Sequence, residues 1–590
     1  MPSGFTDVKQ HLAELFGEAL SMVAPDQSGL SIELEQPKHA LHGDYACNLA
    51  MQLAKRLRRN PRDVAKQLLD ALPASPLVEK AEIAGAGFIN LFLKPSAKQQ
   101  VVQRILALGS QYGRSQLGQG KKIQVEFVSA NPTGPLHVGH GRGAAIGASL
   151  ANVLAAAGYQ VTREFYVNDA GRQMDILALS TWLRYLALNG INIPFPGNAY
   201  QGAYVQDMAQ QIVALHADRY IHEPWTVLDD IPGAPAATDD TDAAKQAREA
   251  HLDGLIANAK KLLGEDYQYI HNFVLTEQLG DCRNDLLEFG VTFDSWFSEK
   301  SLFDSGMVER AIELLRANGH VYQQDGALWF RSSHFGDEKD RVVQRENGQH
   351  TYFASDIAYH LNKFERGFDQ VVDIWGADHH GYIQRVKGAL QALRLDSDKL
   401  LVALVQFAVL YRDGKKVSMS TRSGDFVTLR ELRQEVGNDA ARFFYVLRKS
   451  DQHLDFDLDL AKSQSNENPV YYIQYAHARI CSVLEQWGGV ASQLADVDVT
   501  MLTSVHELSL LQSLGNYPET VENAARDFSP HLIAYYLKDL AAALHSYYNA
   551  EHFLVSDEGL KLARLALISA TQQVLKNALQ LLGVSCPEKM

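Results

Sequence analysis

Apolar and polar positions change their rhythm twice along this chain of 590 residues. In the first stretch, apolar residues recur every three or four positions through Val8–Val23 and again from Pro61 to Leu72, the period of an amphipathic helix. Asn60 before Pro61 is a helix-start signal, because the Asn side chain can cap free amides and proline pre-sets the first helical φ. Val78–Leu93 alternates and carries Gly85 and Gly87, which predicts two strands and a turn. From 119 to about 465, apolar runs of strand length alternate with helical patterns. Lys122–Ser129 and Gln160–Val167 read as strands around a helix over Arg142–Ala157, with Asp369–Trp375 and Leu400–Leu410 as later strands. Such alternation predicts a parallel sheet. A long intervening region, roughly 170–350, divides it, and Pro224–Asp242 within it is rich in Pro, Gly, Ala and Asp, the composition of an exposed insertion. After 466 the period is helical throughout: Val470–Trp487, Leu508–Tyr517, His531–Tyr548 and Ala563–Leu582. The pattern divides the chain into an α+β unit (1–118), an α/β core with a parallel sheet (119–465) and an all-α unit (466–590). No internal repeat is visible.

Composition narrows the class. The longest apolar run, Leu400–Tyr411, contains Gln406 and is shorter than the ~18–20 residues of a membrane helix. The first residues, Met1-Pro-Ser-Gly-Phe-Thr-Asp, lack the charged head and apolar core of a secretory signal. Four cysteines, Cys47, Cys282, Cys481 and Cys586, lie far apart with no C-x-x-C pair, which argues against a disulfide framework and against structural zinc. A reducing cytoplasm is the compartment this implies. Net charge is −15, yet phosphate binding depends on local field, and Lys55-Arg-Leu-Arg-Arg-Asn-Pro-Arg62 with Lys66 forms a basic cluster. Acid concentrates at Asp229-Asp230 and Asp239–Asp242.

The densest chemistry lies in Glu126–Gly143. A strand pattern runs into Asn131-Pro-Thr-Gly-Pro135, then His137-Val-Gly-His140, then a small-residue helix. Strand, glycine-rich turn and helix place a helix N-terminus against phosphate. Two imidazoles can donate to a polyphosphate there, and Gly139 leaves bare backbone for a flat ring. Asp378 and His379 follow a predicted strand, at the edge where α/β sheets bind ligands. The dense tyrosines of the C-terminal unit, Tyr471, Tyr472, Tyr475, Tyr535, Tyr536, Tyr547 and Tyr548, read mostly as core, with some free to stack on splayed bases.

His137-Val-Gly-His140 resembles the HIGH motif of class I aminoacyl-tRNA synthetases. Its surroundings, Ala130-Asn-Pro-Thr-Gly134 and Asn168-Asp-Ala-Gly171, are similar to the bacterial arginyl-tRNA synthetases. So, in order, are Gly336–Arg341, Tyr352–His360, Gly376–Tyr382, Asp455–Asp459 and Asn468–Arg479, so the likeness spans nearly the whole chain. It implies a Rossmann-like catalytic core, an N-terminal domain touching the corner of the tRNA, and an anticodon-binding helical domain. It implies ATP with Mg2+, L-arginine and tRNA(Arg) as partners, no zinc, no membrane and a monomer. The implied reaction forms arginyl-adenylate and then arginyl-tRNA. His137 and His140 then face the reacting phosphates. Pro132, Gly139, Gly376, Asp378, His379, Met419 and Ser420 bind ATP, while Glu126, Asn131, Tyr352 and Asp356 bind arginine. The family's Lys-Met-Ser-Lys-Ser loop is altered to Ser418-Met-Ser-Thr421-Arg422, so Lys415, Lys416 or Arg422 is the candidate for its positive charge. Two other readings compete: a small cofactor adenylyltransferase, for which the helical tail has no use, and a tRNA-binding paralogue with a dead site.

Overall fold

The computed structural model describes residues 8–27, 29–37, 40–235, 241–417 and 427–590. The N-terminal unit is a four-stranded antiparallel sheet in the order Leu34–Glu35, Tyr45–Cys47, Phe88–Leu93, Val78–Ala84. Helices Val8–Val23, Leu49–Leu57 and Pro61–Ala71 close its core through Leu12, Phe16, Leu53, Val64 and Leu68. Asn60 caps the third helix as its sequence predicts, accepting from the Arg62 amide at 2.9 Å. The basic cluster at 55–62 is exposed around this helix–helix junction, where Arg58 adopts φ 52°.

The catalytic-size core is a five-stranded parallel sheet: Leu400–Val405, Gln370–Gly376, Lys122–Glu126, Gln160–Val167 and Ser295–Ser298. The first of these strands in sequence, Lys122–Glu126, is central. The chain continues to one side of it and returns later on the other, and this reversal opens a crevice at the carboxyl ends of the strands. Glu126 and Gly376 both end strands on that edge. Helix Val138–Ala156 lies on the sheet so closely that a Cβ at Gly147 would meet the Phe127 ring at 2.3 Å.

The intervening region is largely helical. Helices Arg172–Leu188, Ala203–His216, Asp242–Leu263 and Glu265–Glu288 pack around their own core of Trp182, Tyr185, Met208, Ile212, Leu252 and Leu255. Within Pro224–Asp242, Pro224–Val227 is one helical turn with Trp225 exposed, and 236–240 lie outside the described residues. The C-terminal unit holds helices Pro469–Trp487, Val505–Arg526, His531–Ala550 and Glu558–Leu582. The second of these runs through Pro518, well beyond the Tyr517 end that the periodicity suggests.

Four local expectations are corrected. Strand Lys122–Ser129 stops at Glu126, because Val128 (φ 70°) and Ser129 (φ 41°) turn the chain out of the sheet. A β-branched residue at positive φ is strained, and such strain persists only where its surroundings hold it. Ser129 Oγ supplies that hold, donating to Glu126 Oε1 (2.8 Å) and accepting from the Tyr166 amide (3.1 Å). The apolar run Leu400–Leu410 is two strands in two sheets. It breaks at Gln406, whose carbonyl accepts from the buried Arg142 guanidinium at 2.7 Å, and Ala408–Arg412 then pairs with Leu454–Asp457. The helix assigned to Arg142–Ala157 begins at Val138, capped by His137, and Gly141 within its first turn makes room for Leu429 and Tyr445. Finally, helix Pro95–Leu108, grouped by sequence with the N-terminal unit, is tied to the C-terminal helices: Gln99 donates to the Thr500 and Leu502 carbonyls, and Tyr112 to that of Leu514.

One buried cation joins the units. Arg442 donates to the Leu582 carbonyl (2.8 Å) and to the Phe289 and Gly290 carbonyls (3.0 and 3.2 Å). Two long helices, Glu265–Glu288 and Glu558–Leu582, thus end on one guanidinium, where their dipoles favour positive charge. Burial nonetheless lowers its pKa to about 10.

Candidate active site

His137 is the N-cap of helix Val138–Ala156. Its Nδ1 accepts from the Gly139 amide (3.1 Å), and His140 Nδ1 accepts in return from the His137 amide (3.3 Å). The two histidines form a reciprocal capping box, a role usually filled by Ser/Thr and Glu. With both Nδ1 atoms taken by backbone donors, the proton of each neutral ring sits on Nε2. The rings stack at 3.7 Å. Burial pushes both below their ordinary range, His140 to about 3 with His137 adding to the effect. They are therefore neutral donors at a helix N-terminus, not the cations that phosphate chemistry suggests from sequence. A Cβ at Gly139 would meet the His137 ring at 2.9 Å, so the bare backbone there makes room for that ring.

Both histidines line a cleft of about 1330 Å³ together with Asn131, Thr133 and Gly134. Asn131 is held at its rim by Gln173 (2.8 Å) and Asn168 (3.1 Å). Pro132 is buried beneath the turn. Met419, Ser420 and Arg422 fall outside the described residues. The segment that follows them returns beside the capping box: Val138 N donates to the Val427 carbonyl (3.2 Å) and Leu429 N to that of Leu136 (2.8 Å). Lys415 and Lys416 form the exposed arm of the hairpin that leads into that segment.

The second part of the site is acidic and buried. Helix Tyr352–Glu365 presents Asp356, His360 and Lys363 at four- and three-residue spacing, hence on one face. Lys363, fully buried, bridges Glu126 (2.5 Å) and Asp373 (2.6 Å), and His360 bonds Asp373 (2.9 Å). Burial works against the Asp373 carboxylate, yet Lys363 and His360 hold it below its usual range. Burial raises Glu126 in spite of Lys363, and it raises Asp356, which accepts a hydrogen bond from the Tyr382 hydroxyl. Tyr352 is exposed at the helix start, its hydroxyl near Gly171 in the Asn168–Gly171 turn. Gly376 ends the neighbouring strand, and Asp378 and His379, both exposed, lie in the 3-10 turn Ala377–Tyr382 that follows it.

Sequence reading missed Lys363, His360, Tyr382 and Glu299. The first two had a signal, the polar stripe in step with Asp356. Glu299 is buried and accepts from Ser355 Oγ at 2.7 Å. The Tyr166 hydroxyl lies among Glu299, Asp356 and Glu126. The Tyr166 hydroxyl and the Glu299 carboxylate face each other, though no close hydrogen bond joins them. Three carboxylates, Glu126, Asp356 and Glu299, each raised chiefly by burial, are the complement of a planar cation with many donors. Among the described residues no three His, Cys, Asp or Glu side chains gather as metal ligands. No described helix is long and apolar enough to cross a membrane.

In the C-terminal unit Tyr536 and Tyr547 are core, whereas Tyr535 is exposed. Tyr471 and Tyr475 stack at 6.0 Å, and Arg479 lies over Tyr475 and Tyr548 at 4.5 and 4.6 Å.

Comparison with known proteins matches this geometry piece by piece. The family described as "Arginyl tRNA synthetase N terminal domain" covers residues 8–93, and "DALR anticodon binding domain" covers 473–590. "tRNA synthetases class I (R), catalytic domain" covers 101–187 and 259–456. An arginine–tRNA ligase of Nitrosospira multiformis is 70% identical over 584 residues, 99% of each chain. Another, of Azoarcus, is 67% identical over 99% of this chain and 100% of its own. The solved Thermus thermophilus arginyl-tRNA synthetase shares the fold, with TM-score 0.74 at 23% identity over 99% of this chain and 100% of that one. With every unit accounted for in order and at such identity, the chain belongs to the class I arginyl-tRNA synthetases.

Proposed function

We propose that the crevice holds ATP against His137 and His140 while the acidic pocket beneath helix Tyr352–Glu365 holds the arginine side chain. The enzyme attaches L-arginine to tRNA(Arg) through arginyl-adenylate, releasing pyrophosphate and AMP. In the first step an arginine carboxylate oxygen bonds to the α-phosphorus and the bond to pyrophosphate breaks. In the second, a terminal ribose hydroxyl of the tRNA takes the arginyl group and AMP leaves. Neither step needs a covalent enzyme intermediate; both need in-line placement and donors where charge builds. The two Nε2–H groups and the amides of a helix N-terminus are such donors.

Pro132, Gly139, Gly376, Asp378 and His379, with Met419 and Ser420 of the loop, are assigned to MgATP. Arg422, or Lys415 and Lys416 on the hairpin, supplies the loop's positive charge. Glu126 and Asp356 are assigned to the guanidinium or the α-amino group, with Asn131 and Tyr352 closing the site. A cytoplasmic monomer belongs to the same proposal, divided near residue 465 and, since helix Pro95–Leu108 packs on the C-terminal helices, before Pro95 rather than near 118. The half-exposed tyrosines beside Arg479 suit stacking on anticodon bases.

The observation that carries the amino-acid assignment is the gathering of three buried carboxylates, Glu126, Asp356 and Glu299, around the Tyr166 hydroxyl. The test is aminoacylation kinetics of Asp356→Asn. Loss of one charge-assisted bond to the guanidinium lowers kcat/KM for arginine by about 1.5–3 kcal/mol, roughly ten- to a hundredfold. An unchanged arginine KM removes Asp356 from the pocket.

A further inference from the structure

The catalytic-family match passes over residues 188–258, yet this stretch builds one wall of the cleft that His137 and His140 line. It reaches the turn before the two histidines through Tyr204, second residue of helix Ala203–His216. The Tyr204 hydroxyl donates to the Thr133 carbonyl at 2.7 Å, inside the turn Asn131-Pro-Thr-Gly-Pro135. Tyr200 faces the side chain of the same threonine.

That turn is poor in bonds of its own. Pro132 and Pro135 have no amide hydrogen, and the contact within it is Thr133 N to the Asn131 carbonyl at 2.8 Å. Gly134 leaves space for the tyrosine, since a Cβ there would stand 3.1 Å from the Tyr204 hydroxyl. The helix that delivers the hydroxyl is anchored by Val205, Met208 and Ile212 in the inserted core. The insert is in turn fixed to the catalytic frame by Arg172, which follows the Asn168–Gly171 turn and pairs with Glu249 (2.8 Å) and Asp253 (2.7 Å). The cleft therefore has an anchored arm that touches the Thr133 carbonyl of the turn.

We propose that Tyr204, seconded by Tyr200, is a positioning residue for the nucleotide: from a segment outside the family's catalytic match, it holds the Asn131–Pro135 turn in the shape that receives ATP. This rests on the reading that the turn receives ATP. Tyr204→Phe removes only the oxygen. In tRNA charging it raises the ATP KM about fivefold, the size of one neutral hydrogen bond, and leaves kcat, the arginine KM and the thermal midpoint unchanged. Gly134→Ala crowds the same hydroxyl at 3.1 Å and the ring carbon behind it at 3.3 Å, so it raises the ATP KM in the parent enzyme and adds less in the Tyr204→Phe background. The proposal is overturned by an ATP KM that does not move, by additive effects of the two substitutions, or by an arginine KM and thermal midpoint that move with the ATP KM, which is the mark of a merely structural tyrosine. If the parent enzyme charges tRNA(Arg) normally and the variants match it, this inference fails alone. If the parent does not charge, the reading beneath it fails.

Discussion

The two halves of the site handle charge in opposite ways. Around the helix Tyr352–Glu365, carboxylates and cations are buried together, and Lys363 sits fully enclosed between Glu126 and Asp373. Around the capping box, the titratable groups are stripped of charge: two stacked imidazoles, neutral through burial, with backbone amides beside them. The contrast follows the ligands each half is suited to. A cation with five donors is selected by fixed negative charge with acceptors left over. A polyphosphate brings its own charge and counter-ion, and is served by dipoles that need no reorganisation.

Breaking the charged half has the largest expected effect. Lys363→Met leaves Glu126 and Asp373 buried without their cation and destabilises the fold by about 3–5 kcal/mol, read as a shifted denaturant midpoint. A loss below about 1 kcal/mol, the scale of exposed pairs, would mean that water reaches the cluster and that the two halves do not differ as described. Breaking the neutral half touches rate first. His140→Asn slows pyrophosphate exchange by about 2.7–4 kcal/mol, or 10²–10³-fold, with the arginine KM little changed. Exchange at the parental rate would take His140 out of the chemistry.

The third test concerns protons and is the smallest over any single pH unit. The folded chain keeps His140 neutral down to about pH 3, whereas the unfolded chain takes up the proton near 6.5. Because the folded pKa is the lower one, this contribution to stability is whole above about pH 6.5 and is lost as the pH falls toward 3, by at most about 1.4 kcal/mol per pH unit. Thermal midpoints measured at stepped pH should therefore fall more steeply for the parent than for His140→Asn. Parallel decline would show that the capping box does not depend on neutral rings.

How far the sequence carries depends on whether the cause is local. Helix Val8–Val23 and strand Gln160–Val167 lie where their periodicity places them, since each is set by its own alternation of faces. The break at Gln406 was invisible, because what causes it is a guanidinium 264 residues away reaching the Gln406 carbonyl. Lys363 is similar: an exposed lysine is the default for its pattern, and its burial is explained only by Glu126, 237 residues distant. The Asn131, His137 and His140 constellation was legible because it lies within one turn and one helix start. Glu299, Tyr166 and Tyr204 were not, because each joins the site from another element.

Arg442 gives the molecule a property that none of its parts has alone. The last helix of the C-terminal unit and the helix behind the catalytic sheet both terminate on it, and the pull of Asp439 does not offset its burial. Prising the tail from the core would strand a positive charge in an oily seam, so the two melt as one cooperative body, and a chain truncated before Leu582 forfeits the integrity of its catalytic centre as well as its grip on nucleic acid.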